Sequence, residues 1–336
     1  MLQVIGMGWY LAVNYCWVLA LVPQEYICPD GFMISVEVST GFTLYLFCWQ
    51  AQWPSLPFFF PDSAFFNLPD RHFQKVSITL DLLLKGKKLE SVWYGAPPEV
   101  APTLVFLHEG LGCVSMWRDF PEKLGRMTGC GVLIYSRLGY GESDSCELPR
   151  SLSFMHQEAL EELPEILAQC KIRKFILVGH SDGASIALIY AGESSADSLL
   201  GIVNEAPHVF CEPLTTSSIE NVRDLYQSGN LRERLKKHHG TNIDCAFHGW
   251  ADVWLHPDFT EWNIESCLPK IRVPQLVIQG TDDEYGTSAQ VEAIVRQSVG
   301  SVKTCFLDNC GHSPHRDQET QTLEAMAQFV RNLLVL

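Results

Sequence analysis

The stretch KFILVGHSDGASIALIYAG, residues 174–192, decides the fold. KFILV is a short continuous apolar run, the pattern of a strand covered on both faces. ASIALIYAG reads as a helix. Between them, Gly179-His180-Ser181-Asp182-Gly183 fits G-x-S-x-G. At the apex of a sharp strand-to-helix turn, a serine is held in strained backbone geometry with its hydroxyl above the sheet. Chain segments approach closely on either side of such a turn, so the residues two positions away must be small. Both are glycine here, and Ala184 continues the clearance. The helix N-terminus behind the turn directs N–H groups toward developing negative charge. The five-residue pattern arises by chance in glycine-rich turns, so its weight comes from the strand before it and the helix after it.

Working outward, strands and helices alternate from about residue 74. VSITLDLL (76–83) and LESVWYGA (89–96) predict an antiparallel hairpin around Lys85–Lys88. TLVFLHEG (103–110), GVLIYSR (131–137), LLGIVNEAP (199–207), QLVIQG (275–280) and SVKTCFLDNC (301–310) read as further strands. Helices are predicted from WRDFPEKLGRM, from SFMHQEALEELPEILAQC (kinked or split by Pro164), from SAQVEAIVRQSV and from 316–335. Strands separated by helices imply a mostly parallel sheet with right-handed crossovers. The polar, aromatic-rich stretch from about 211 to 268 interrupts the alternation as an insertion.

Three more turns carry chemistry, each directly after a strand. In His108-Glu109-Gly110-Leu111-Gly112, a backbone N–H, most simply that of Gly110, is available to pair with the N–H of Asp182 as an oxyanion hole. In Gly280-Thr281-Asp282-Asp283-Glu284, Asp283 is the first choice for a carboxylate that receives a histidine N–H, with Asp282 the alternative. In Cys310-Gly311-His312, His312 is the candidate general base. His315 is the alternative, although it precedes the last helix and fits a capping role or a pairing with Asp317. The order Ser181, Asp283, His312 is one of the known chain orders of the Ser-His-Asp triad and differs from those of chymotrypsin and subtilisin.

Residues 74–336 resemble the α/β-hydrolase superfamily, on its Ser-nucleophile branch. The likeness rests on HEGLGCVSMWRDFP (108–121), YSRLGYGES (135–143), GHSDGASIALIYAG (179–192), APHVF (206–210), WNIE (262–265), GTDDEYGT (280–287) and CGHSPHRDQ (310–318). These blocks are similar to a bacterial group placed loosely with carboxylesterases and meta-cleavage C–C hydrolases. The resemblance implies the α/β-hydrolase fold: a mostly parallel central sheet flanked by helices, with a helical lid insertion. It implies Ser181, Asp283 and His312 as triad, and Gly110 and Asp182 as oxyanion donors. Many relatives have glycine where Glu109 stands, a departure in the oxyanion loop. The expected reaction is hydrolysis of a carboxylic ester or similar acyl bond of a small molecule. C–C cleavage on the same triad is the alternative, and a non-catalytic receptor on this fold is a more distant one. No metal or organic cofactor is required.

Weaker candidates remain. His208 follows a strand and is placed to face the site. Trp250, Trp254 and Trp262, in the insertion, either line an apolar pocket or hold the insertion on the sheet. Tyr135, Arg137, Tyr140 and Gly141 are either a pocket rim or a packed turn with Arg137 in an ion pair. His180 reads as a packing residue with a hydrogen-bonded ring.

The chain has 336 residues, 47% of them hydrophobic, enough for a sizeable core. Its net charge of −15 excludes a basic nucleic-acid-binding face. Twelve cysteines without a CxxC pair fit free thiols in a reducing compartment, hence a cytoplasmic location. The composition breaks near residue 71: residues 1–70 contain no Lys or Arg yet hold Trp9, Trp17, Trp49 and Trp53. We therefore expect an apolar extension (1–70) and a hydrolase domain (71–336). Residues 1–22 are uncharged and just long enough to span a bilayer as a helix, so any membrane association is expected there alone. They lack the positive n-region of a signal peptide.

Overall fold

A computed structural model describes residues 78–194 and 198–335, together with the backbone of three earlier strands. The chain forms two compact units, Met1–Arg71 and His72–Leu336. In the first, β1 (Trp17–Ala20), β2 (Phe32–Val38) and β3 (Phe42–Cys48) make an antiparallel sheet in the order β1-β3-β2. Most of the span considered for residues 1–22 lies outside the described residues. Its described part, Trp17–Ala20, is a strand and not a helix. Among the described residues no helix is long and apolar enough to cross a membrane.

The second unit opens with β4 (Ile78–Thr79), β5 (Leu82–Leu84), β6 (Lys87–Leu89) and β7 (Ser91–Tyr94). The hairpin expected of 76–83 and 89–96 around Lys85–Lys88 forms with a tighter turn: β5 pairs β6 across Lys85-Gly86, so Lys87 and Lys88 lie in a strand, while β4 and β7 pair antiparallel farther out. Both turn residues have positive φ, 52° and 79°, which matches the right-handed twist of the two strands. β4 and β7 instead join the main sheet, whose other strands are β8 (Thr103–Leu107), β9 (Gly131–Tyr135), β10 (Phe175–His180), β11 (Leu199–Glu205), β12 (Gln275–Gly280) and β13 (Val302–Leu307). The order is β13-β12-β11-β10-β8-β9-β7-β4. From β9 to β13 all neighbours are parallel; β7 pairs antiparallel with β9, and β4 antiparallel with β7. Every residue of β8, β9, β10 and β12 is buried, as expected of strands with helices on both faces.

Helices α1 (Phe120–Thr128), α2 (Phe154–Gln157), α3 (Leu163–Gln169) and α4 (Asp182–Glu193) follow their strands. The helix expected over 153–170 is split: a π-type turn at Glu158–Glu162 separates α2 from α3, and Pro164 sits in the first turn of α3, where its missing N–H costs nothing. Between β11 and β12 the insertion folds as α5 (Pro213–Ser228), α6 (Leu231–His239) and α7 (Ile243–Trp254), followed by 3₁₀ turns. The chain ends with α8 (Ser288–Gln297), the short α9 (Pro314–Asp317) and α10 (Glu319–Leu334). The terminal helix predicted over 316–335 is thus broken at Gln318.

Two apolar layers cover the sheet. On one side Phe120 and Leu124 pack with Met326, Phe329 and Val330 against Leu104, Phe106, Ile176 and Val178. On the other, Leu163, Ile166, Ile186, Ile189, Val291 and Ile294 pack against Val105, Leu177 and Ile202. Strand order reverses beside β8: the chain moves from β8 to β9 on one side and then to β10 on the other. A crevice opens at the C-terminal strand ends of such a switch point, and this is where ligands bind in open α/β sheets.

The tightest packing in this crevice is between β8 and the start of α4, where a Cβ on Gly183 would lie 2.0 Å from the Leu107 carbonyl oxygen. Gly129 has φ 74° but open space around its Cα. Gly183→Ala should therefore cost about 3 kcal/mol or more by forcing two backbones apart. Gly129→Ala should cost about 1 kcal/mol, from backbone conformation alone. Urea unfolding of the two variants checks this, and equal losses would contradict the packing described.

Candidate active site

Ser181 sits between β10 and α4 with φ 52° and ψ −116°, a conformation that L-residues avoid. Three features hold it there. Its N–H donates to the Glu205 carbonyl at the end of β11 (2.9 Å), and its carbonyl accepts from Ala184 and Ser185 of α4 (2.9 and 3.0 Å). Gly179 and Gly183 meet face to face, since a Cβ on Gly179 would fall 2.3 Å from the Gly183 oxygen.

The structure brings Ser181, His312 and Asp283 into one line. His312 Nε2 lies 2.9 Å from Ser181 Oγ, and Nδ1 lies 2.8 and 2.9 Å from the two oxygens of Asp283. Asp283 Oδ1 also accepts the N–H groups of Tyr285 (2.8 Å) and Gly286 (3.1 Å), and Gln279 Nε2 donates to Oδ2 (2.6 Å). The carboxylate is thereby fixed and kept ionised: burial pushes its pKa up, but the His312 hydrogen bond and charge outweigh that and hold it below the ordinary value. Burial likewise pushes His312 down, and the Asp283 carboxylate reverses the sign, raising the imidazole above 6.5. Asp282, the alternative carboxylate, is exposed.

His315, the alternative base, does not reach Ser181. Its N–H and Nδ1 both bond Glu205 Oε2, at 3.0 and 2.9 Å, beneath the site. The pairing with Asp317 suggested by the sequence does not form; Asp317 accepts the Gly311 N–H instead (2.9 Å). His180 donates from Nε2 to the His312 carbonyl (2.6 Å) and is kept neutral, with its pKa pushed down by burial to about 4. Both neighbouring histidines thus hold the loop that carries His312.

Gly110 lies over the strand ends at the cavity wall, and a Cβ there would strike the Trp250 indole 2.1 Å from Nε1. The loop is gripped from behind by Arg137. Its Nη1 donates to the His108 carbonyl (2.6 Å) and its Nη2 to the Glu109 carbonyl (2.9 Å). The ion pair expected of Arg137 is replaced by these carbonyl contacts and by the Tyr140 ring, 5.0 Å from the guanidinium carbon. The Glu109 carbonyl and the Gly110 N–H belong to one trans peptide and point in opposite directions. Anchoring the carbonyl on Arg137 therefore turns the Gly110 N–H away from the guanidinium. Asp182 is the first residue of α4, so its N–H has no intrahelical acceptor. Its buried carboxyl, raised by burial to about 6, accepts Trp254 Nε1 at 3.0 Å.

A cavity of about 170 Å³ opens over Ser181 and His312. Glu109, Gly110 and Leu111 wall it from the β8 side; Thr215, Ile219, Trp250 and Trp254 reach it from the insertion; Glu284 and Tyr285 complete it. His208 also lines it, fixed by the Ser185 hydroxyl on its carbonyl (2.7 Å) and kept neutral, with burial pushing it down to about 3. Trp262 does not line the cavity but stacks on Phe259, next to Trp254. The sequence reasoning missed Gln279, Glu284 and Tyr285, whose ring lies 4.6 Å from that of His312. A polar Gln279 inside the buried strand β12 was the signal available. Among the described residues no group of three or more His, Cys, Asp or Glu is arranged to hold a metal ion.

The alpha/beta hydrolase family profile matches residues 104–325. The chain belongs to that family. It is 24% identical over 252 residues to a proline iminopeptidase of Lactobacillus helveticus, covering 63% of this chain and 83% of that protein. It is 24% identical over 254 residues to a 2-succinyl-6-hydroxy-2,4-cyclohexadiene-1-carboxylate synthase of Salmonella agona, covering 69% and 94%. Solved structures share the fold: an esterase from Exiguobacterium antarcticum (TM-score 0.57, 18% identity, 74% of this chain and 97% of that one) and an enol-lactonase from Burkholderia xenovorans (TM-score 0.57, 19% identity, 75% and 98%). The solved structures share the fold with this chain, while the activities that these proteins are named for differ.

The opposing forces on His312 give a direct test. Its imidazole should titrate above 6.5 in an NMR pH series. In Asp283→Asn the main opposing carboxylate is gone, leaving burial against only the smaller contributions of Glu109 and Glu284, so the midpoint should fall. An unchanged midpoint would contradict the electrostatics described.

Proposed function

We propose that this chain is a serine hydrolase that cleaves a carboxylic ester or similar acyl bond of a small molecule, with Ser181 as nucleophile, His312 as general base and Asp283 as the acid that orients it. The observation that carries this reading is the unbroken line Ser181–His312–Asp283, with contacts of 2.9 and 2.8 Å, on the floor of a closed-in cavity. Ser181 Oγ attacks the substrate carbonyl as its proton passes to His312 Nε2. The oxyanion is received by the N–H groups of Gly110 and Asp182, and protonated His312 returns its proton to the leaving group. Water, deprotonated by the same imidazole, then attacks the acyl-enzyme and releases the acid. Asp283 keeps Nδ1 protonated, so that Nε2 is the free acceptor. His208, Trp250 and Trp254 shape the pocket for the acyl or leaving group.

One feature favours a narrower substrate. Glu109 and Glu284 both line the cavity, the first also paired with Arg316 (3.3 Å) and the second accepting the His312 backbone N–H (3.2 Å), and the two carboxylates make the lining acidic toward a protonated amine on the substrate. The relative named an iminopeptidase is compatible with this second reading.

A fluorophosphonate should label Ser181, and labelling should vanish in Ser181→Ala. His312→Ala should lower kcat by roughly 10³-fold or more. His315→Ala should lower the melting temperature by stranding the buried Glu205 while leaving a larger fraction of kcat. Labelling that persists without Ser181, or a reversal of the two histidine effects, would refute the assignment. In a panel of paired substrates, amine-bearing aryl esters and aminoacyl anilides should gain in kcat/KM over neutral ones if the second reading holds.

A further inference from the structure

One feature outside the proposed chemistry joins the insertion to the body of the domain. Cys245 lies in the first turn of α7, and Cys146 in the loop after β9, ninety-nine residues earlier in the chain. Their sulfurs are 2.8 Å apart, closer than any other thiol pair among the described residues. The contact is held from three sides. Arg150 Nη2 donates to Cys146 Sγ (3.3 Å), and the Cys245 thiol, while protonated, donates to the Cys146 carbonyl (3.6 Å). Below both sulfurs lies Gly139, at φ 85°, where a Cβ would be 2.7 Å from each. Both cysteines are half-buried, so a small reagent can reach them. The two thiols differ in acidity. The hydrogen bond from Cys146 brings Cys245 down to about 6 against the effect of burial, with help from the Arg150 and Lys87 charges, while Cys146 is pushed far up as the proton donor. An attacking thiolate beside a partner thiol is the arrangement of a reactive pair.

The location gives the pair a consequence. One and a half turns beyond Cys245 on the same helix is Trp250, packed on Gly110. One turn further is Trp254, bonded to Asp182. A covalent link at Cys245 therefore fixes the helix that closes the cavity over both proposed oxyanion donors.

We propose that Cys146 and Cys245 are a peroxide-oxidisable dithiol whose disulfide ties α7 to the loop after β9. The Cys245 thiolate attacks one oxygen of hydrogen peroxide. An S–O bond forms, the O–O bond breaks, hydroxide leaves, and the sulfur is oxidised to a sulfenic acid. The Cys146 sulfur then attacks the Cys245 sulfur: the S–S bond forms, the S–O bond breaks, and the departing hydroxide takes the Cys146 proton as water. In sum, two thiols and one peroxide give one disulfide and two waters. A dithiol reductant reverses the link. This inference is independent of the reaction assigned to Ser181.

The test treats the full chain with a small excess of hydrogen peroxide, alkylates the remaining thiols and maps the peptides by mass spectrometry. The expected product is a Cys146–Cys245 cross-link, with the other thiols still alkylatable. Cys146→Ser should trap Cys245 as the sulfenic acid or its dimedone adduct, and Cys245→Ser should leave Cys146 unreacted. Hydrogen exchange across residues 243–254 should slow by roughly 10-fold or more on oxidation and recover with dithiothreitol, as a cross-link between distant segments requires. Both variants should keep the melting temperature of the reduced parent to within a few degrees. The proposal is overturned by a cross-link joining other cysteines first, by oxidation of Cys245 straight to the sulfinic acid in the unsubstituted chain, or by exchange in α7 that is unchanged by a formed 146–245 link.

Discussion

Ser181 holds a backbone conformation, φ 52°, that costs on the order of 1–3 kcal/mol, and much of the surrounding structure consists of what keeps it there. The turn exists only because β10 and α4 approach without side chains between them, which demands Gly179 and Gly183. β8 lies close enough for its Leu107 carbonyl to touch Gly183, so the strand that ends in the His108–Gly112 loop is set in place by the same contact. The end of β11 supplies Glu205, whose carbonyl fixes the Ser181 N–H and whose side chain fixes His315. Through His315 and His180 the same constraint reaches the loop of His312. The positions of Ser181, His312 and the His108–Gly112 loop are therefore linked through one strained turn and are not three separate arrangements.

The insertion adds the closed cavity. Trp254 donates to Asp182 at the first residue of α4, and Trp250 covers Gly110, so α7 touches the two peptide groups beside which an oxyanion would form. The insertion walls the cavity over Ser181, and a walled-off site strengthens electrostatic contacts within it. Asp182 keeps a buried carboxyl beside Ser181, and its Oδ1 is the acceptor for Trp254.

Much of this was legible in the sequence, for physical reasons. The fully buried strands read as continuous apolar runs, and the serine turn read from its flanking glycines. Asp283 and His312 were legible because each follows a strand in a short loop. What could not be read was which polar residues turn toward one another across the sheet top. His315 and His312 are three residues apart and chemically identical; only the Glu205 side chain, more than a hundred residues earlier, separates their roles. Arg137 looked like half of an ion pair, because a buried guanidinium usually finds a carboxylate; here backbone carbonyls at a loop bend serve instead. The break between α9 and α10 was missed because Gln318 carries no helix-stopping signal.

Ser181 and His312, if they act as one unit, should show it in a double-mutant cycle. Hydrolysis of a short-chain aryl ester would be compared for the parent, Ser181→Ala, His312→Ala and the double variant. If the two residues share a single proton-transfer step, the double variant should lose no more kcat than the worse single variant. Losses that multiply, so that each substitution removes its full factor regardless of the other, would contradict the account.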